Sequence, residues 1–561
     1  MKKKLLFLSA VLLSAVSSAQ TTYLPLRSEE YNVVDKLETM DGFLNRNFNT
    51  TLKPLSRKNT VSYLKAQHKF GLTQATSFSK IDMYNMQRAV SISGEWAETA
   101  DGDDGALNSK RPILKYFYQK QPDLIHINTD DFFLVVNPIL YLQAQKENDV
   151  AGTQYINTRG AEIRGRIFNR IGFYTMVADN QEKSASYVNG WEQTHKAFPG
   201  TDYYTTPPSG AYDYLIARGY LDFNAFKDYM NVTFGYDKQF IGDGVRSLLL
   251  SDNGAASTFL RLRTKIWKLN FDNLFLELTP DYIRGGDQRL PKKYAAIHQV
   301  NINATPWLNI GLFESTMFSK RERFGVEYLV PVIFYNTAAR ALGASQKTSL
   351  GFHFKAIALK TVQVYGQAYF DQLSFSDIGK GSWKNQYGLQ LGAKYFNAFT
   401  LSNLDLQGEV NLVRPFTYAA NDGMSNHTHY NQPLAHPYGA GFAEVIGVVR
   451  YQPLPRLFLT AKAIYSVRGM DSSLIGNDGN NIFKPLESRT AENDFGLTAG
   501  EKMNAIYFNF NAAYEVRPNI FIEAGATHLR RDWASGIALP SSTSVYGGIR
   551  VNITRREVDF Y

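Results

Sequence analysis

The sequence predicts an all-β fold: a transmembrane, antiparallel up-and-down β-barrel of about 18 strands, with a short helical segment on its N-terminal side. Three observations lead there. Long stretches alternate apolar and polar side chains with period two, the polar face carries formal charges, and the connections alternate between tight turns and long loops. A strand with several charges on its second face does not fit a sandwich core, while its apolar face is too continuous for an exposed edge. Hydrocarbon outside and water inside satisfy both faces.

In chain order, the first segment reads as an export signal over residues 1–19. Lys2, Lys3 and Lys4 form a basic start, Leu5 to Val16 an apolar stretch, and Ser17-Ser18-Ala19 a small-residue cleavage site before Gln20. The apolar stretch is shorter than the ~20 residues a spanning helix needs. Beyond it there is no further run of that kind, and the mean hydropathy of −0.28 argues against helical spans. Cysteine is absent, which excludes disulfides, thiolate metal sites, a thiol nucleophile and a lipoprotein anchor. The 34 Tyr and 37 Phe suit the aromatic girdles of a barrel.

Residues 20–130 are expected to form a periplasmic helical cap or plug. Tyr31, Val34 and Leu37 share one helical face, Ser56 would cap a helix holding Val61 and Leu64, and Ser79-Lys80-Ile81-Asp82 resembles a capping box. Residues 112–128 look extended, and the placement of 89–128 is left open by the pattern.

Residues 131–561 are expected to be the outer-membrane β-barrel, with strands near 131–146, 155–166 and 169–180 and on through 518–529 and 542–554. In 456–468, Leu457, Leu459, Ala461, Ala463, Tyr465 and Val467 oppose Arg456, Thr460, Lys462, Ser466 and Arg468; in 404–412, Leu404, Leu406, Val410 and Leu412 oppose Asp405, Gln407, Glu409 and Asn411. Asn270-Phe271, Leu359-Lys360 and Pro453-Leu454 are short turns, whereas 181–211, 318–346, 414–439 and 469–500 are long loops. Short periplasmic turns alternating with long extracellular loops, around an even strand count, mark a bacterial outer-membrane barrel. The register turns Glu162, Arg164 and Arg166 inward, with Arg261, Arg263 and Lys265 on another strand.

No nucleophile, base and acid come together in this pattern, so no catalytic residue, cofactor or metal is expected. His427, His429, His436 and Asp422 share a loop whose Asn, Pro and Gly content favours a folding role. Asp101-Gly102-Asp103-Asp104 and Asn477-Asp478-Gly479-Asn480 lack the spaced ligands of a calcium loop. The 60 Lys and Arg against 51 Asp and Glu, three of the lysines lying in the leader, leave a mild positive balance with no basic stripe for nucleic acid.

Three segments, FGYDKQFIGDGVRSLLLSDNGAASTFLRLR (234–263), RFGVEYLVPVIFYNTAARALG (323–343) and HYNQPLAHPYGAGF (429–442), resemble the Bacteroidetes branch of the Wzi-type capsule-assembly outer-membrane proteins, including gliding-motility proteins of the RemB type. Val245 and Glu327 depart from that pattern. The resemblance implies an eighteen-stranded barrel with a helical bundle at its periplasmic mouth. It also implies non-enzymatic binding of surface or capsular polysaccharide, for capsule attachment or for gliding and adhesion, with motility or secretion-apparatus proteins as further partners. A general diffusion porin is the alternative. The expected glycan-binding residues lie in the loops and lumen: Arg246 and Asp252 positioned beside the pore mouth by Gly242-Asp243-Gly244, Arg261 and Arg263 on the wall, and Arg321, Arg323, Tyr335 and Arg340 from the neighbouring long loop.

Overall fold

The computed structural model describes residues 22–73, 78–97, 108–110, 112–148, 150–168, 170–208, 210–226, 229–280, 290–319, 330, 333–334, 346–471, 476–536 and 539–561. The leader, Asp101 to Asp104, and Arg321, Arg323, Glu327, Tyr335 and Arg340 lie outside these residues.

Among them, eighteen antiparallel strands close into one barrel. They are β1 Phe132–Glu147, β2 Gln154–Ile167, β3 Ile171–Lys183, β4 Tyr212–Phe226, β5 Met230–Asp237, β6 Ser257–Ile266, β7 Leu269–Leu278, β8 Lys293–Thr305, β9 Leu308–Phe318, β10 Gln346–Ala358, β11 Val362–Gln372, β12 Gln386–Tyr395, β13 Leu404–Val413, β14 Phe442–Leu454, β15 Leu457–Met470, β16 Glu501–Arg517, β17 Ile520–Trp533 and β18 Ser542–Val551. Each pairs with its neighbours in sequence, and β18 closes the ring on β1 through Val551 opposite Leu140 up to Ser544 opposite Glu147.

The lower half of β1 has a different partner. Ile125–Asn128 pairs with Phe133–Val136, continuing the line of β18. Pro138 sits between the two partners, where its missing N–H forfeits no ladder bond, and its carbonyl accepts the Asn552 side-chain amide at 2.9 Å. The last part of the extended 112–128 stretch thus joins the wall.

Alternation along the strands sorts the faces as expected. Val177, Leu215, Val445, Ile506, Ile522 and Val545 point outward, while Ala178, Tyr214, Glu444, Tyr507, Glu523 and Ser544 beside them are buried. No helix among the described residues is long and apolar enough to cross a membrane. A closed sheet with an apolar outer wall is itself a spanning structure, since every ladder group is paired within the ring. The protein sits in an outer membrane.

The N-terminal segment forms helices α1 Glu29–Asp41, α2 Arg57–Thr73, α3 Lys80–Ser91 and α4 Gly94–Ala97. Tyr31, Val34, Leu37, Val61, Leu64 and Met86 make their shared core. Ser79 and Asp82 form a reciprocal capping box at the start of α3. The bundle meets the barrel at its short turns: Leu44 N–H donates to Pro306 O at 2.7 Å, Lys36 Nζ to Asn403 at 2.9 Å, and Asn85 to Gln452 at 2.7 Å. Arg88 donates to Glu515 and Asn519 at the β16–β17 turn. The bundle therefore lies at the short-turn end of the barrel.

Candidate functional site: the filled lumen

The lumen is occupied by three segments of the chain itself. The first is the β5–β6 connection, residues 238–256. It folds down the barrel, where Phe240–Ile241 pairs with Leu52–Lys53 of the N-terminal segment. Gly242 adopts φ +136°, a region that disfavours side chains, and a Cβ there would lie 2.3 Å from Gln367. A Cβ on Gly244 would lie 2.4 Å from the Glu409 carboxylate, which accepts the N–H groups of Val245 and Arg246 at 2.7 and 3.0 Å.

The second is the stretch after β18. The Arg550 guanidinium donates to Ile553 O at 2.7 Å, and residues 552–561 turn inward instead of extending the strand to 554. Arg555 donates to Asn509 and Tyr546, and Arg556 to Thr158, Asn180 and Tyr214. Asp559 accepts from Arg246 at 2.7 Å and Lys462 at 2.8 Å, while Tyr561 O accepts from Arg468 at 2.7 Å. Burial alone would raise the Asp559 carboxyl, but Arg246 and Lys462 outweigh it and hold the acid far below its ordinary range.

The third is the N-terminal segment. Arg27 forks onto Asp252 at 2.6 and 2.5 Å. Lys355 bonds Glu38 and Thr50 and lies 3.4 Å from Asp243. Burial pushes Asp243 up, yet Lys355 and Lys53 bring it down to about 2.

Of the predicted glycan residues, Arg246 and Asp252 are drawn into ion pairs, whereas Arg261 and Arg263 keep the expected lumen-facing positions. Arg246 and Asp252 do not lie open to a ligand. Arg246 is wholly buried between Asp559 and Glu444, and Asp252 is held by Arg27, because an inward-folded loop can bury its charges only against opposite ones. Arg261 and Arg263 do face the lumen. Arg261 contacts Asp272 at 2.8 and 2.9 Å and donates to Lys53 O, while Arg263 donates to Pro54 O and stacks on the Tyr23 ring at 5.3 Å. Arg164 likewise ends in ion pairs with Glu162, Asp123 and Glu95. Some of the wall's charges are paired by the wall itself, as in Arg261 with Asp272, and others by the inward segments, as in Lys355 with Glu38 and Lys462 with Asp559.

Missed from the sequence were Arg27, Lys238 and the 554–561 stretch. Its adjacent Arg555-Arg556-Glu557 breaks the two-residue alternation, a signal that the strand had ended.

The long loops lie at the opposite end of the barrel. Helix α5, Ser186–His195, places Trp191 edge-on to Phe560 at 4.8 Å. His427 donates to Leu249 O, His429 accepts Thr279 N–H at 2.9 Å and donates to Ala256 O, and His436 bonds Glu444 at 2.7 Å. These histidines fasten the 414–441 loop to separate partners, and no group of three or more metal-ligating side chains occurs among the described residues. Asn477 and Gly479 make a loop turn, with Gly479 N–H donating to the Asn477 side chain at 3.0 Å. Burial lowers the imidazole pKa to about 3 at His427 and about 4 at His429, and lowers that of His436 as well. With folded values below the unfolded one, near 6.5, the unfolded loop binds more protons, so stability is lost as pH falls from about 6.5 toward 4. The hydrogen-exchange protection of residues 426–436, measured against the intrinsic rate at each pH, should fall over that window, and a His429→Gln variant should lose part of the effect.

Two adjoining cavities, of about 210 and 290 Å³, are both bordered by Leu26, Arg27, Asp252, Thr554, Arg555 and Glu557. Fold and lumen define the class: an outer-membrane β-barrel whose interior is filled by its own chain. Among solved structures it is similar to Escherichia coli Wzi, described as an outer membrane protein involved in group 1 capsule assembly and a carbohydrate-binding β-barrel; the TM-score is 0.56 at 11% identity, covering 96% of this chain and 100% of that one. Pseudomonas aeruginosa OprD matches at TM-score 0.42 and 11% identity over 74% of this chain and 94% of that one, and Acinetobacter baumannii OccAB4 at 0.41 and 10% over 75% and 98%. No protein-family model and no curated protein sequence matches the chain.

Proposed function

We propose that the protein is a non-enzymatic surface barrel that binds polysaccharide, serving capsule or exopolysaccharide attachment or gliding motility and adhesion, with motility or secretion-apparatus proteins as further partners. The observation that carries this reading is the filled lumen. A diffusion porin needs an aqueous passage, whereas here wall charges such as Arg261, Lys355 and Lys462 are engaged by plug, wall or tail groups. The likeness to a barrel described as carbohydrate-binding supports the same choice. The Bacteroidetes assignment and the gliding role rest on the resemblance of residues 234–263, 323–343 and 429–442.

Deletion of the gene is expected to release cell-bound glycan or to abolish spreading, and the purified barrel is expected to retain glycan extracted from the parent cells. Unchanged glycan attachment and unchanged spreading would rule this reading out. In planar bilayers the intact protein should stay closed; a large, stable open conductance would establish the porin instead.

A further inference from the structure

The smaller cavity is lined by β1, β4 and β16–β18, by the residues leading into α5, and by the tail. Its charges are unevenly matched. Glu182 lies 3.7 Å from Arg556, Asp252 2.5 Å from Arg27, and Glu557 3.0 Å from Lys462. Lys238 differs. Among the described residues it forms no ion pair with a carboxylate, and its ammonium donates only to the Asp252 backbone carbonyl at 3.2 Å. Arg218 beside it has one acid, Asp237, at a loose 3.8 Å.

This pair is uncomfortable as it stands. Burial and the neighbouring Arg218 lower the Lys238 pKa to about 7, as expected of an ammonium held near other cations with too few anions. A carboxylate placed between Lys238 and Arg218 would relieve the repulsion and give both a charge-assisted hydrogen bond. The remaining lining suits a sugar. Gln143 and Gln145 project amides from β1. Arg218 and Arg27 keep 28% and 42% of their side-chain surface exposed, so solvent reaches the cavity. It lies inside the barrel, where lipid headgroups do not reach.

We propose that this cavity is a subsite for a carboxylated sugar, with Lys238 and Arg218 gripping the carboxylate and Gln143 and Gln145 the ring hydroxyls. The inference rests on the polysaccharide-binding reading and narrows it to acidic glycans.

The test is equilibrium binding of tetragalacturonate and of its methyl ester to the full-length protein in detergent, with Lys238→Gln and Arg218→Gln alongside and heat-modifiable migration confirming that each variant folds. The acid should bind about tenfold more tightly than the ester, the equivalent of one charge-assisted hydrogen bond, and each variant should lose that preference while keeping the ester's affinity. Equal binding of acid and ester, or a preference that survives both substitutions, overturns the proposal. Binding of neither probe, with glycan from the parent cells still retained, overturns the subsite and leaves the polysaccharide reading standing; failure to bind any glycan removes both.

Discussion

Arg246→Ala should cost the barrel about 3–5 kcal/mol of stability, the range measured when one partner is removed from a buried ion pair. Arg246 is wholly buried, and its guanidinium meets Asp559 at 2.7 Å and Glu444 at 3.3 Å, with Lys462 and His436 completing the group. Truncation removes the one cation that spans both carboxylates. Glu444 keeps His436, whose ring favours the neutral form, and so becomes a buried carboxylate without a full counter-charge. Urea unfolding in micelles, followed by tryptophan fluorescence, should show the midpoint shifting down, and adding Glu444→Gln to the Arg246→Ala background should recover part of the loss. A shift no larger than that of an exposed pair, below about 1 kcal/mol, would mean that the network does not fasten loop to tail.

Removing residues 554–561 should convert a closed barrel into a conducting one. The segment contributes the carboxylates of Glu557 and Asp559 to Lys462, and its Tyr561 hydroxyl lies 2.6 Å from Ser466 Oγ. Thr554, Arg555 and Glu557 border both cavities, so their removal joins the two. Arg246 and Lys462 would then face water instead of the tail. Stepwise openings should appear in planar bilayers where the intact protein gives none, and a synthetic peptide of residues 554–561 should suppress them. A folded, truncated barrel that stays closed would show that the N-terminal bundle and the β5–β6 loop seal the lumen without the tail.

Much of the wall was legible because each strand reports its own environment. Leu457, Leu459 and Tyr465 alternate with Thr460, Lys462 and Ser466 whatever the rest of the chain does, and β15 follows as Leu457–Met470. The capping box at Ser79 and the buried stripe Tyr31, Val34 and Leu37 are equally local, and both helices formed around them. The site was less legible. Arg246 was readable as a cation in a glycine-rich loop, yet its acceptors Glu444 and Asp559 lie 198 and 313 residues away, and no spacing rule connects them. The same holds for Lys355 with Glu38, 317 residues apart. The last strand was expected to run to residue 554 but ends at Val551, and Arg555, Arg556 and Asp559 beyond it were given no role, because the pattern marks where alternation fails without saying where the chain turns.

What the sequence by itself determined is the membrane wall: strand number, facing, the alternation of turns and loops, and a helical segment ahead of them. These follow from a two-residue period set against lipid and from caps written within four residues. Only the tertiary structure decided what fills the barrel. Burying a charge is tolerable only where an opposite charge arrives from elsewhere in the chain, and that meeting is a property of the closed ring rather than of any segment within it.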